Sequence, residues 1–274
     1  MDINNILLAT VSLGGMGLLF GAGLAFASQK FAVEVDPRAV EIRDALPGAN
    51  CGACGFPGCD GFANAVVSGK APIGGCPVGG AETASKLAQI MGVVANAGEK
   101  KVARVLCKGG DNCLNRFEYD GIKDCKAENI IDGGGAKACT FGCLGGETCV
   151  EVCPFDAMFM NEYGVAEVDK EKCTACGVCI EACPKNIIEL VPYEQVTFVD
   201  CLNTERGGHV KKNCSNACIA CTLCVKACPH DAIHMDGMVA KIDYDKCVNC
   251  GICAEKCPTG AITVDENNQV VISA

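Results

Sequence analysis

Cys218-Ile-Ala-Cys221-Thr-Leu-Cys224-Val-Lys-Ala-Cys228-Pro229 is the stretch on which the fold turns. Three thiols spaced three residues apart can reach three corners of an iron-sulfur cubane from one tight loop. The fourth, held before proline, turns away toward a neighbouring cluster. The pattern returns as Cys173, Cys176, Cys179 and Cys183-Pro184, and as Cys247, Cys250, Cys253 and Cys257-Pro258. With 25 cysteines in 274 residues, a disulfide scaffold is one alternative. Such scaffolds belong to short secreted chains, whereas here the count is odd, the length is ordinary, and the thiols lie too close for a ladder of unstrained bridges. Zinc ribbons are a second alternative, but they separate two Cys pairs by a long spacer and seldom add a third cysteine within the knuckle. A reduced, iron-ligating set remains, and with it a chain built to carry electrons.

The formal charge of -10 becomes more negative once thiolate-ligated clusters are bound, so nucleic acid is excluded as a partner. Aromatic residues make up only 5% of the chain and Trp is absent, too little for one large apolar core. Metal ligation is expected to replace burial as the main folding term in each small module.

Residues Ile6 to Ala27 run without a charge for 22 residues, long enough to cross the hydrocarbon region as a helix. Lys30 and Arg38 follow this segment, and the leading residues carry Asp2 with no Lys or Arg. A cleaved signal peptide would have its positive charge first. The positive-inside rule then predicts a single-pass protein of the cytoplasmic (inner) membrane, with everything after Lys30 on the cytoplasmic side, where thiols stay reduced. Gly17 and Gly21 form a GxxxG notch suited to a membrane partner.

Residues 31–47, with helical spacing broken by Pro37, read as a connector. Cys51-Gly-Ala-Cys54-Gly-Phe-Pro-Gly-Cys59 with Cys76-Pro77 then supplies a tetrad in a glycine-rich loop, where glycine lets peptide N–H groups approach cluster sulfur. Asp60–Ser68 and Ala81–Val94 have helical patterns, so this module is expected to be a small helical cap around one cluster.

From Cys139 the chain repeats itself. KACTFGCLGGETCVEVCPFDAM (137–158) aligns with KNCSNACIACTLCVKACPHDAI (212–233), pairing Cys139 with Cys214, Cys143 with Cys218, Cys149 with Cys224 and Cys153 with Cys228. Short strands are expected at Val165–Val168 and Val239–Ile242. The expected fold class is α+β: an N-terminal transmembrane helix, a small helical 4Fe-4S domain, and tandem bacterial-type two-cluster ferredoxin modules. The boundaries are 1–30 for the anchor, 31–47 for the connector, 48–100 for the helical domain and 101–136 for a Cys-containing insertion. Ferredoxin module 1 follows at 137–192, a second insertion at 193–211 and ferredoxin module 2 at 212–274.

In two-cluster ferredoxins the last cysteine of each motif ligates the other motif's cluster. This gives one set of Cys218, Cys221, Cys224 and Cys257, and another of Cys228, Cys247, Cys250 and Cys253. In the first module it gives Cys153, Cys173, Cys176 and Cys179. The remaining set has Cys143, Cys149 and Cys183, but Gly146 stands where Cys221 stands in the repeat. Cys139, the nearest spare thiol, is the expected fourth ligand, for at least five 4Fe-4S clusters in all. Cys107, Cys113, Cys125, Cys201 and Cys214 are left as additional ligands or inert buried thiols. Cys107 and Cys201 correspond to each other in the repeat.

Other residues say less. His209, His230 and His234 lack the paired Cys-x-His spacing of a Rieske site. Lys170, Lys172, Lys211, Lys212, Lys226, Lys246 and Lys256 lie near the motifs, either as a solvated face or as docking sites for an acidic carrier. Gly133-Gly134-Gly135 is a loop without a phosphate-binding pattern, so no nucleotide site is expected on this chain.

A glycine-rich span, then CGACGFPGC with Cys76, then tandem ferredoxin motifs, resembles the B subunit of the Rnf complex over essentially the whole chain, in the longer form found in anaerobes. The resemblance implies an electron-transfer subunit of a membrane ferredoxin:NAD+ oxidoreductase that exports sodium ions or protons. Its partners would be soluble ferredoxin, flavin- and NAD-binding subunits and small membrane proteins. The alternatives are a polyferredoxin component of another membrane reductase or hydrogenase, and a scaffold with structural clusters.

Overall fold

The computed structural model describes residues 3–30, 36–93 and 99–265. Residues 31–35 of the expected connector, 94–98, and the last residues of module 2 from 266 onward lie outside them. Helix α1 (Ile3–Lys30) has 28 residues, about 42 Å at 1.5 Å per residue. Within it, Thr10–Ser28 is long and apolar enough to cross a membrane, and none of that window is buried. Removing residues 1–30 is therefore expected to yield a soluble protein that keeps its iron, since the first cysteine is Cys51. Iron analysis of the truncated protein, and its release from washed membranes, check this; loss of iron would show that α1 supports the sites.

Helices α2 (Pro37–Ala45), α3 (Gly58–Val67) and α4 (Gly80–Met91) form one apolar core around Ile42, Leu46, Phe62, Val66 and Leu87. This corrects the expected connector: Pro37 opens a helix instead of breaking one. Proline has no N–H to lose at a first helical turn, and Asp36 caps that turn by accepting the Arg38 N–H at 2.9 Å. Arg43 on α2 reaches Asp60 on α3 at 3.0 Å. α4 stops at Gly92, whose φ of 67° provides the left-handed cap.

The rest is mixed helix and strand, with one topology used twice. β1 (Lys101–Val105) pairs antiparallel with β4 (Ile188–Pro192), enclosing the hairpin β2 (Met158–Met160) and β3 (Ala166–Val168). β5 (Thr197–Val199) pairs with β8 (Ile262–Val264), enclosing β6 (Ile233–Asp236) and β7 (Val239–Ile242). The segments 101–136 and 193–211, expected as insertions, thus each supply an outer strand to the unit that follows. A three- to five-residue strand announces itself weakly in sequence when its partner lies over 60 residues away.

The two units are tied by a largely buried ion pair. Arg104 on β1 donates to Asp200, just after β5, at 2.9 and 3.2 Å, and its guanidinium stacks over Phe198 at 4.2 Å. Asp200 is 4% exposed. Arg104 also lies 3.7 Å from Asp265, so removing Asp200 takes away its closer, hydrogen-bonded partner without leaving the guanidinium wholly unpaired. Asp200→Ala is expected to destabilise the cluster-loaded protein in chemical denaturation by about 1.5–3 kcal/mol, the range for a hydrogen bond to a charged group. A midpoint unchanged from wild type would show that the pair does not hold the units together.

Candidate iron-sulfur sites

Each regular cysteine loop is shaped by two left-handed residues around its middle thiol. Ala175, Ala220 and Asn249 precede Cys176, Cys221 and Cys250 with φ of 56°, 56° and 58°; Gly177, Thr222 and Gly251 follow with 81°, 59° and 74°. Left-handed angles are unfavourable for non-glycine residues, so their repetition marks a loop whose shape is imposed by what it surrounds. Around Gly146 the same shape persists, with Gly145 at 82° and Glu147 at 61°, although the middle thiol is missing. After the Cys-Pro pairs at 153, 183, 228 and 257, a further left-handed residue (Asp156, Asn186, Asp231 or Gly260) turns the chain back. In two of these turns an alanine N–H then points at the cysteine sulfur: Ala157 to Cys153 Sγ and Ala232 to Cys228 Sγ, both at 3.4 Å.

The thiols assemble into sets. Cys51, Cys54, Cys59 and Cys76 gather against the helical core. Cys153 joins Cys173, Cys176 and Cys179. Cys218, Cys221, Cys224 and Cys257 line one small apolar cavity, and Cys228, Cys247, Cys250 and Cys253 line another. Burial, reinforced by neighbouring thiols, pushes Cys149, Cys179 and Cys253 up to about 12. The protein alone thus opposes thiolates at these places, and ligation by iron supplies the positive charge that offsets both effects.

The structure corrects one expected ligand. Cys143, Cys149 and Cys183 share their cavity with Cys125, and Cys139 is not among its lining residues. A Cβ at Gly146 would lie 3.1 Å from Cys125 Sγ and 2.8 Å from its backbone N. The missing side chain is thus replaced by a thiol from a distant loop that occupies the same space. Thr148 fixes that loop by accepting the Cys125 N–H at 2.7 Å while donating to Asp124 at 3.0 Å. The signal available in the sequence was the gap at Gly146; which spare thiol filled it depended on the path of residues 114–135. Cys139 lies instead with Cys107, Cys113, Cys201 and Cys214 around a second cavity, which Cys143 also borders.

Among the described residues, no three or more His, Cys, Asp or Glu side chains are placed to hold a single metal ion. Thiolates around a cubane stand farther apart than those around one zinc, with its bonds of about 2.3 Å. The cysteine sets, their left-handed loops and their N–H donors therefore fit iron-sulfur clusters. His209, His230 and His234 are exposed, and of the three His230 borders a cysteine set, lining the cavity of Cys228, Cys247, Cys250 and Cys253. Of the motif lysines, Lys172 and Lys246 pair locally with Asp169 and Asp243, and Lys170 pairs with Asp265. The carbonyls of Gly133 and Gly134 receive Arg116 and Lys185, so that loop serves as a structural staple.

Comparison with known proteins agrees with this geometry. Residues 46–78 match a putative Fe-S cluster family, 166–189 a 4Fe-4S binding domain, and 217–265 a 4Fe-4S dicluster domain. The chain is 53% identical, over 89% of its length and 73% of the relative's, to the B subunit of a Na+-translocating ferredoxin:NAD+ oxidoreductase complex from Acetobacterium woodii. It is 42% identical to the B subunit of a proton-translocating ferredoxin:NAD+ oxidoreductase complex from Clostridium ljungdahlii, over 88% of the chain and 85% of the relative. The B subunit of an ion-translocating oxidoreductase complex from Methanosarcina acetivorans is 38% identical over 89% of the chain and 93% of its own length. With identity of this degree over nearly nine-tenths of its length, the chain belongs to the B-subunit family of ion-translocating ferredoxin:NAD+ oxidoreductase (Rnf) complexes.

Proposed function

We propose that this chain is the iron-sulfur wire of an ion-translocating ferredoxin:NAD+ oxidoreductase, taking electrons from reduced soluble ferredoxin and delivering them to membrane redox partners. A bound 4Fe-4S cluster supplies reversible one-electron chemistry. The chain's own residues hold at least five such groups in two tandem two-cluster units and the helical domain. The observation that carries this reading is that successive sets are neighbours. Cys149 of one set lies near Cys179 of the next, and Cys176 lies near Cys51 of the helical domain. Cys221 and Cys250 are the two exposed cysteines, with Lys226 and Lys256 nearby in sequence, and we assign ferredoxin docking to that end. Delivery then occurs at the Cys51 set, next to the membrane helix in sequence, on the cytoplasmic side. The relatives are named for two different ions, so the reading covers ion translocation and leaves its ion open. Flavin and NAD chemistry is assigned to partner subunits.

Membranes lacking this chain are expected to lose ferredoxin-dependent NAD+ reduction and the associated ion uptake into inverted vesicles. The NAD-binding partner should still oxidise NADH with an artificial acceptor. Unchanged ferredoxin-to-NAD+ activity, with loss of a hydrogenase or another reductase instead, would move the chain to that other complex.

A further inference from the structure

We infer that Gln195 is a positioning residue that sets the reduction potential of the Cys228, Cys247, Cys250 and Cys253 site, by donating its side-chain N–H to the Cys247 sulfur. The inference rests on the proposed function in taking that set as an iron-sulfur site at the end where electrons enter.

Gln195 lies in the turn between β4 and β5, where the first unit hands over to the second. Its backbone is held by the first unit: its N–H donates to the Pro192 carbonyl at 3.1 Å, and its carbonyl receives Lys170 Nζ at 3.2 Å. The side chain is buried and reaches into the second unit. There its amide nitrogen has two partners, the Thr197 carbonyl at 2.8 Å and Cys247 Sγ at 3.4 Å. A carbonyl only accepts, so the nitrogen end of the amide must face Thr197, and the same choice points the second N–H at the sulfur.

The internal repeat shows that this bond stands in for another. Ala103 on β1 and Thr197 on β5 are counterparts: Cys107 and Cys201 follow them at equal spacing, and they face Leu190 and Val264, which follow Pro184 and Pro258 at equal spacing. In the first unit the Ala103 N–H donates directly to Cys173 Sγ, the counterpart of Cys247, at 3.4 Å. In the second unit the equivalent N–H of Thr197 goes to Asn249 Oδ1 at 3.2 Å, which also accepts the Val196 N–H at 3.1 Å. The counterpart of Asn249 is Ala175, whose side chain accepts nothing. The backbone donor that serves Cys173 is therefore diverted from Cys247, and Gln195 supplies one at the same distance. Its own counterpart, Lys101, is exposed. The donor is kept while the group that provides it changes, so the demand comes from the sulfur.

A ligating sulfur becomes more negative when its site is reduced, so an N–H aimed at it favours the reduced form. Cys250 of this set is one of the two exposed cysteines, and the bond thus acts where an electron from reduced ferredoxin would arrive. A side-chain donor can also be removed without touching the backbone or any ligand, which the Ala103 N–H cannot.

The test uses the full chain, reconstituted anaerobically and titrated with mediators while reduced-state electron paramagnetic resonance is recorded. The signal missing from Cys228→Ala identifies the site. Gln195→Met fills much the same space without a donor. It should keep full iron and shift the balance at this site about tenfold toward the oxidised form, a midpoint about 59 mV more negative for one electron. The Cys173 site should not move. Adding Asn249→Ala, which frees the Thr197 N–H and copies the first unit, should return most of the shift. Wild type carrying isotope on its glutamine side-chain nitrogens should show that label coupled to the reduced spin of this site, a measurement that needs no variant to load. An unmoved midpoint in fully loaded Gln195→Met, an equal shift at the Cys173 site, or no label coupling in wild type would overturn the inference alone. Wild type without iron at the Cys247 set would overturn the iron-sulfur reading, and the inference with it.

Discussion

Cys125→Ala is expected to remove one whole cluster, about four iron atoms of the protein's total, although Cys125 belongs to no cysteine motif. Its thiol is the one that closes the cavity of Cys143, Cys149 and Cys183. A loop with three left-handed or glycine positions at 145–147 but no middle cysteine can be completed only by a thiol from outside it. The packing at Gly146 sharpens the expectation. A methyl group there would meet the Cys125 backbone N at 2.8 Å, closer than real Cβ contacts, and backbone cannot swing aside as a flexible side chain can. Gly146→Ala should therefore lose the same four irons without removing any ligand, by displacing residues 124–125. Cys139→Ala should spare this cluster. The measurement is iron and acid-labile sulfide per chain after anaerobic reconstitution, with the reduced-state paramagnetic signals used to identify the missing member. Full iron in Cys125→Ala, with loss in Cys139→Ala at the Cys143 set, would restore the ligand that the repeat alone suggested.

The second large effect is a loss at a distance from the altered motif. Cys228→Ala should empty the site of Cys247, Cys250 and Cys253 and leave Cys218, Cys221, Cys224 and Cys257 loaded, for a drop of about four irons. The left-handed turn at Asp231 and the Ala232 N–H aim the Cys228 sulfur away from its own loop and into the cavity of the other motif. The equivalent change in the first unit, Cys153→Ala, should act on the Cys173, Cys176 and Cys179 set in the same way, because Ala157 holds Cys153 alike. Selective loss of the Cys218 site from Cys228→Ala would show that each motif keeps its own fourth ligand. Because the exposed Cys250 belongs to the set that would be lost, the variant should also slow the acceptance of electrons from reduced ferredoxin.

Features that depend on neighbours along the chain were legible in the residues alone. Three thiols three residues apart converge because one loop carries them, so the regular sets followed from spacing. The apolar run to Ala27 needs only its length and lack of charge to read as a span. The strand at Val239–Ile242 needed only its apolar residues and flanking turn residues. Pro37 was legible in kind but not in effect, since the same ring that breaks a helix interior suits its first turn, and the Asp36 cap settled which applied. Wherever a sulfur meets partners from remote segments, the choice was made by the folded chain. Counting along the repeat favoured Cys139 over Cys125, because distance in sequence is blind to the fold of an intervening loop. Steric space did the choosing, as Cys125 fills the volume vacated at Gly146. Likewise, β1 and β5 become parts of their units only when β4 and β8 return to pair with them. That pairing carries Cys107 and Cys201 to the boundary between the units, where Cys139 and Cys214 meet them.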